Sequence, residues 1–194
     1  MEIRKYQPDN EKGWVRCRTL AFLDTAYFDD VMNKKETYEN PAIEFVAVDD
    51  GKVVGLLDIE CETKEKTVCT RGDGLGGMIW HLATHPDYQR KGIGTALLQK
   101  AEEISKEKGL HYLEAWTRDD DWVCDWYEEN GFQKVYSYLH VYAVGNELNR
   151  IVDSIKPGFH PVKTFAHYTG NEQETIPSNF ERVHECRCYI KYLR

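Results

Sequence analysis

The stretch His85–Gly109, HPDYQRKGIGTALLQKAEEISKEKG, decides the fold. In it a basic, glycine-spaced turn comes directly before a helix whose apolar residues recur at helical spacing. The first amide groups of a helix have no partner inside it, and the helix dipole adds partial positive charge at that end. Arg90 and Lys91 add whole charges. The turn is therefore either a binding site for a phosphorylated ligand or only the start of a helix.

Three phosphate-binding patterns compete for this turn. The P-loop pattern, GxxxxGK[ST], fails because Lys91 precedes the glycine and no Lys-Thr pair follows. The dinucleotide fingerprint, GxGxxG, fails because Leu97 stands where the third glycine belongs and because the turn is too long for it. The pattern [QR]-x-x-G-x-[GA] is matched in full by Gln89, Gly92 and Gly94. The third pattern therefore describes the turn best.

Composition and charge are those of an ordinary globular chain of 194 residues, with a formal net charge of −8. The length fits a single domain over residues 1–194. The negative charge disfavours nucleic acid as a partner and favours a cationic small substrate. No apolar run approaches the roughly 18 residues of a membrane span, and the first residues lack the apolar core of a secretory signal, so no membrane partner and a cytoplasmic location are expected.

The cysteines give no sign of a metal site. None of the six forms a CxxC pair, and no His or Cys cluster near Cys186 and Cys188 completes a zinc set. We interpret them as reduced and mostly buried. No metal is expected.

Hydrophobic periodicity predicts the order β, α, β-hairpin, β, α, β, α, β, insertion, β, an α/β arrangement with antiparallel edges and one parallel step. Asp49-Asp50-Gly51-Lys52 indicates the hairpin turn. The strands Met78–Thr84 and His111–Trp116 flank the helix Gly92–Lys108, and Thr63–Gly77 is expected to be a loop. Within the insertion, Asn146–Ile155 is a candidate helix.

Two stretches carry a resemblance to a known family. Leu82–Leu98, LATHPDYQRKGIGTALL, closely resembles the coenzyme A motif of the GNAT acetyltransferases, and Trp126–Phe132, WYEENGF, resembles their Tyr-x-x-x-Gly-Phe motif. The two lie in the expected order with a strand between them. The resemblance runs over about residues 1–143 and resumes at Val183–Leu193, the family's closing strand. It makes residues 145–182 an enlarged connection between the last two strands.

The resemblance implies the GNAT acyl-CoA N-acyltransferase fold, an α/β fold in which a mixed sheet is splayed between its middle strands and helices cover both faces. It implies acetyl-CoA as co-substrate. The backbone of Leu82, Ala83 and Thr84 would bind the pantetheine arm. The pyrophosphate would lie against a run of seven residues: Gln89, Arg90, Lys91, Gly92, Ile93, Gly94 and Thr95. Many members carry an asparagine that touches the coenzyme arm, and here its position holds Asp120.

Acetyl transfer to an amine needs a neutral nitrogen, a hydrogen-bond donor for the oxyanion and a proton for the departing thiolate. Tyr127 matches the family's tyrosine, and a phenol of pKa about 10 is protonated at neutral pH and can donate to the thiolate. A backbone N–H of Leu82 or Ala83 would polarise the thioester carbonyl.

Three candidates could act as the general base that takes the proton from the amine. Glu114 lies on the strand that follows the helix Gly92–Lys108, in a segment similar to one that holds a catalytic glutamate in some relatives. We expect its side chain to be half-buried, which would raise its pKa toward a useful value. His81 has an ordinary pKa suited to the task. Water is the third source. Met78 stands where other relatives carry a glutamate, so that role is not carried over.

The sequence thus predicts an N-acetyltransferase that moves the acetyl group of acetyl-CoA to a primary amine of a small molecule or a protein by direct attack in a ternary complex. We expect a monomer or homodimer, with acceptor specificity near Tyr27, Phe28 and the insertion. The alternative is a non-catalytic acyl-CoA-binding sensor on the same fold, which Asp120 favours and Tyr127 disfavours. The glycine spacing disfavours a dinucleotide-dependent oxidoreductase.

Overall fold

A computed structural model describes residues 1–153 and 156–194 of the chain. The strands are β1 (Glu2–Lys5), β2 (Ala42–Asp49), β3 (Lys52–Cys61), β4 (Gly76–Thr84), β5 (Tyr112–Thr117), β6 (Gln133–Val144), β7 (Lys163–Tyr168) and β8 (Arg182–Tyr192). The α-helices are α1 (Glu11–Phe22), α2 (Ile93–Glu107) and α3 (Asp121–Glu129). None of the helices in this described part combines the length and apolar character that a bilayer span requires.

The strands form one eight-stranded sheet in the order β1-β2-β3-β4-β5-β8-β6-β7. Neighbouring strands run antiparallel, except that β4 and β5 are parallel. The β2–β3 hairpin turns at Asp50 and Gly51, both with positive φ, as the Asp-Asp-Gly pattern predicted. The prediction of a mixed α/β sheet with antiparallel edges and one parallel step is confirmed.

Helices cover both faces of the sheet because side chains along each strand alternate between faces. On β2, Phe45 packs in the cluster that contains Leu97 of α2, whereas the next residue, Val46, packs in the cluster that contains Trp14 of α1. Tyr127 of α3 belongs to the same cluster as Leu97 of α2. The sheet therefore has α1 on one face and the other two helices on the opposite face.

The connection between β6 and β8 differs from the expectation. The candidate helix Asn146–Ile155 is a 3-10 helix over Gly145–Arg150, and its last two residues lie outside the described part. The strand β7, which was not predicted, pairs antiparallel with β6 from Leu139↔Tyr168 onward. Its residues are nowhere fully buried. The strand is held mainly by backbone pairing at the sheet edge, and the hydrophobic pattern therefore gave no sign of it.

The divergence of β4 and β5 positions the site. Their parallel pairs run from Gly76↔Tyr112 to Ile79↔Ala115 and stop there, although β4 continues to Thr84 and β5 to Thr117. At the same level the register between β3 and β4 shifts, which leaves Trp80 as an extra residue on β4. Beyond this bulge, no strand in the described part of the chain pairs with the edge of β4 that faces β5.

Candidate functional site

A cleft of about 940 Å³ opens where β4 and β5 separate. The residues Met78–Thr84 line one side, Trp116 and Thr117 of β5 line another, and α3 adds Trp126 and Tyr127. The turn before α2 also lines the cleft. An unpaired strand edge in a cleft offers its backbone N–H and C=O groups to an extended ligand, which can bind as an added strand.

The turn before α2 keeps a row of amide groups open. Gly92 is the N-cap residue with φ of 77°, and Arg90 also has a positive φ of 60°. The N–H of Ala96 makes the first bond of the helix, to the Gly92 carbonyl, so the amides of the three residues between them have no partner within α2. A Cβ built on Gly92 would meet no atom within 4 Å. The open space and the free amides fit a diphosphate.

Ten of the eleven predicted coenzyme contacts line this cleft: Leu82, Ala83, Thr84, Gln89, Arg90, Gly92, Ile93, Gly94, Thr95 and Asp120. Lys91 does not, because its ammonium group donates to the Asp87 carbonyl at 3.0 Å and lies over the Tyr88 ring. The Ile93 side chain is buried in the core, so this residue offers only its backbone. The assignment of these residues to coenzyme binding stays a prediction.

Tyr127 is 7% exposed and still reaches the cleft. Its ring stacks on Tyr189 with 5.4 Å between centroids, and it meets Trp126 and Phe132 edge to face. Burial raises the pKa of Tyr127 above its ordinary value, so the hydroxyl is protonated at neutral pH. A protonated phenol held rigidly in the cleft wall is suited to donate a proton to a leaving thiolate.

His81 lies in the cleft with both ring nitrogens in contact with charged side chains. Its Nδ1 accepts a hydrogen bond from Arg18 Nε at 3.2 Å, and its Nε2 is 3.0 Å from a carboxylate oxygen of Glu36. Because a guanidinium only donates, we assign the ring proton to Nε2, which donates to Glu36. His81 is thus held at the cleft without a free lone pair for an incoming proton.

Glu114 does not line the cleft, and its carboxylate is fully buried where we expected it to be half-buried. It accepts hydrogen bonds from the backbone N–H and hydroxyl of Thr70, from the N–H of Arg71 at 2.8 Å, and from Trp116 Nε1 at 2.9 Å. The sequence could not show that the glycine-rich loop folds over this face of β5. The geometry favours a structural role, in which Glu114 anchors that loop.

Asp120 ties the segment after α1 to the start of α3. Its two carboxylate oxygens accept the Ala26 N–H at 3.0 and 3.1 Å. Burial raises the pKa of Asp120, and the bond from Ala26 acts in the opposite direction. The neighbouring Arg118 donates to the Ala26 carbonyl, so both backbone groups of this residue are held.

The cleft also contains charged residues that no sequence motif marks, among them Arg18, Asp30 and Glu36. Arg18 is buried on α1 and donates both to the Asp30 carbonyl at 2.8 Å and to its carboxylate at 2.9 Å. The available signal was its position in the chain, because an arginine next to Cys17 and one turn after Trp14 interrupts the apolar face of α1. Within the described residues, no group of three or more His, Cys, Asp or Glu side chains is placed to hold a metal ion.

Comparison with known proteins gives a consistent picture. The model of the Acetyltransferase (GNAT) family matches residues 7–132. An acetyltransferase of Pectobacterium atrosepticum is 26% identical over 140 residues, which cover 70% of this chain and 89% of the relative.

Solved structures share the fold at low identity. A GNAT-family acetyltransferase from Streptococcus pneumoniae superimposes with a TM-score of 0.63 at 14% identity, covering 100% of this chain and 99% of the other. The PaiA N-acetyltransferase from Thermoplasma acidophilum, solved in complex with coenzyme A, gives a TM-score of 0.53 at 16% identity, covering 69% of this chain and 90% of the other.

Proposed function

The chain belongs to the GNAT acetyltransferase family, and from this membership we propose that it transfers the acetyl group of acetyl-CoA to a primary amine by direct attack in a ternary complex. Membership supports acetyl transfer in general. The observation that carries the specific proposal is the unpaired edge of β4 beyond Ile79, which adjoins the open amides before α2.

The donor is proposed to bind along that edge. The pyrophosphate would lie on the amides of the α2 turn, where Arg90 supplies charge, and the pantetheine arm would run beside Leu82–Thr84. The Gln89 side-chain amide donates to the Thr84 carbonyl at 3.4 Å, which joins the turn to the end of β4. Acetyl-CoA supplies the activated acetyl group, and the residues of this chain supply its orientation.

The chain's groups then act on the two ends of the reacting thioester. We assign polarisation of the carbonyl to a backbone N–H of Leu82 or Ala83, which requires no side chain. We assign protonation of the departing thiolate to Tyr127. Burial of this residue keeps its hydroxyl protonated. Since the ring nitrogens of His81 and the oxygens of Glu114 are already hydrogen-bonded, we propose that water removes the proton from the attacking amine.

We also propose that residues 1–194 form a single domain. Strands from both ends of the chain, β1 and β8, belong to the same sheet. The segment 145–182 is then an enlargement of this domain, and its strand β7 extends the sheet by one edge strand.

Steady-state release of coenzyme A thiol tests the function. The protein is incubated with acetyl-CoA and a panel of primary amines that includes alkyl diamines, aralkyl amines and short peptides with a free N-terminus. At least one amine should raise thiol release well above the rate of hydrolysis, with product acetylation confirmed by mass. Tight coenzyme A binding by calorimetry with no amine-dependent release would instead favour the sensor alternative.

A further inference from the structure

The segment after α1 brings two carboxylates to the cleft, and their partners differ. Asp30 pairs with the guanidinium of Arg18, so its charge is compensated. The Glu36 carboxylate is 3.0 Å from Nε2 of the His81 ring, whose other nitrogen, Nδ1, accepts a hydrogen bond from Arg18. Among the described residues, no Lys or Arg side chain lies within hydrogen-bonding distance of the Glu36 carboxylate.

The partners of Glu36 hold it in a fixed place while leaving it accessible. His81 is buried and packs edge to face on Trp14, which is itself fully buried. The Glu36 side chain is 47% exposed. The hydrogen bond from His81 lowers the pKa of Glu36, so the carboxylate is ionised at neutral pH. A buried frame thus presents an exposed charge at the cleft.

The position of Glu36 matches the side from which an acceptor would enter. The α2 turn lies at the Thr84 end of β4, so the proposed donor approaches from there. His81 directly precedes Leu82, one of the two residues whose N–H is proposed to polarise the thioester carbonyl. On the side of His81 that faces away from Thr84, Trp80 and Glu36 line both the cleft and an adjoining cavity of about 770 Å³. This end stays open when the donor is bound as proposed.

We infer that Glu36 binds the positively charged amine of the acceptor, and that His81 and Arg18 position its carboxylate for that contact. The inference rests on the proposed function and adds the acceptor's charge state and the residue that recognises it. The exposed Trp80 indole borders the same opening, and aromatic faces also attract cations. Glu36 acts in capture of the cation, and water takes the proton before attack.

The variant Glu36→Gln tests this contact. We expect the KM for the best amine of the panel to rise on the order of tenfold or more, because a hydrogen bond between charged groups is lost. The KM for acetyl-CoA and kcat at saturating amine should change little. Asp24→Asn is the control, since Asp24 is exposed on the same segment, lines neither the cleft nor the adjoining cavity, and the substitution removes the same formal charge. An equal KM increase in both variants would show that only general attraction is at work.

A binding measurement keeps the test independent of turnover. Benzylamine, 1,4-diaminobutane and alanyl-alanine amide are titrated by calorimetry into protein saturated with coenzyme A. Wild type and Asp24→Asn should bind at least one of them, and Glu36→Gln should lose that binding. Binding that is absent from the wild type, or unchanged in Glu36→Gln, would overturn the inference. Amine binding without thiol release would refute only the proposed function.

The positioning role of His81 has its own readout. His81→Asn should raise the KM for the amine. The double variant with Glu36→Gln should have a KM little higher than that of either single variant, because both substitutions disrupt the same contact. A general structural defect would instead weaken coenzyme A binding as well and would add to the effect of Glu36→Gln.

Discussion

At the scale of single residues, environment decides what each group can do. Tyr127 and Tyr189 stack on each other in one core, yet only Tyr127 lines the cleft, whereas the Tyr189 hydroxyl donates to Glu128 at 3.1 Å. Two similar phenols thus have different partners available to them. Removing each hydroxyl in turn therefore separates a chemical role of the Tyr127 hydroxyl from a role in packing.

Tyr127→Phe should lower kcat by about 100-fold or more, the range typical of a lost general acid, while coenzyme A affinity changes little. The ring and its stacking are kept, so stability should be nearly unchanged. Steady-state kinetics and calorimetry measure the two effects. Tyr189→Phe is the control, and it should retain turnover. Equal kcat in wild type and Tyr127→Phe would refute the assignment of the proton donor.

His140 predicts a specific acid sensitivity. Burial, followed by the nearby Arg118 guanidinium, lowers the pKa of His140 to about 3. The unfolded chain takes up this proton near pH 6.5 and the folded chain does not, so stability falls as pH drops below about 6.5. The carboxyls of Asp29 and Glu185, whose pKa values are lowered to about 2, begin to act only below their ordinary range near pH 4.

Urea unfolding at pH 7 and pH 5 isolates this contribution. The free energy of unfolding of the wild type should decrease by roughly 1–2 kcal/mol from His140 over this interval. His140→Gln, which keeps a polar side chain beside Arg118, should show a smaller decrease. An identical pH dependence of the two proteins would exclude His140 as the cause.

At this scale the sequence was informative only where a motif existed. Tyr127 became a candidate because Trp126–Phe132 has a recognisable spacing. Glu36 has no such spacing around it, since its proposed role depends on contact with His81, 45 residues away. Glu114 was assigned to the correct strand, but its role depends on Thr70 and Arg71, which a distant loop brings to it.

At the scale of elements, α2 was the most predictable part of the molecule. The predicted helix Gly92–Lys108 is observed as Ile93–Glu107, with Gly92 and Lys108 as its caps. Gly109 has the left-handed conformation that was expected after the last turn. Local pattern and capping chemistry agree here, whereas β7 depends on pairing with β6 and carried no pattern of its own.

The two glycines that flank α2 provide a matched pair for testing the phosphate site. Gly92 and Gly109 both have φ of 77°, and a Cβ on either would meet no atom within 4 Å. Gly92→Glu and Gly109→Glu therefore introduce the same backbone strain and the same charge at opposite ends of the helix. We expect Gly92→Glu to abolish measurable coenzyme A binding by calorimetry, because the carboxylate occupies and repels the diphosphate position.

Gly109→Glu should bind coenzyme A like the wild type, although it should lose more stability in thermal unfolding than Gly92→Glu, because a carboxylate at the C-terminal end opposes the helix dipole. If Gly92→Glu binds the coenzyme with unchanged affinity, the amides before α2 are not the phosphate site. If both variants lose binding equally, the effect comes from the helix as a whole.

At the scale of the whole molecule, the sheet depends on strands far apart in sequence. β8 lies between β5 and β6 and pairs with both, for example Thr117↔Arg187 and His140↔His184. The family model ends at residue 132, before β6. The order of the elements was predictable, but the insertion of β8 between β5 and β6 follows from pairing that no local pattern encodes.

A chain that ends at Val144 should therefore fail to fold. It retains residues 7–132, but β6 loses both of its neighbours and β5 keeps only its short parallel pairing with β4. Circular dichroism and urea titration should show no cooperative transition. A cooperative transition together with coenzyme A binding would show that β8 is dispensable for the cleft.

The placement of β8 also has a consequence for biosynthesis. The wall of the cleft formed by β5 is completed on its far side only by residues 187–192, some 70 positions downstream. During translation, β4, the turn before α2 and β5 leave the ribosome before β8 does. Until β8 pairs with it, β5 exposes a row of backbone groups without hydrogen-bond partners. Competence to capture the coenzyme should thus arise late, close to the moment when this last strand leaves the ribosome.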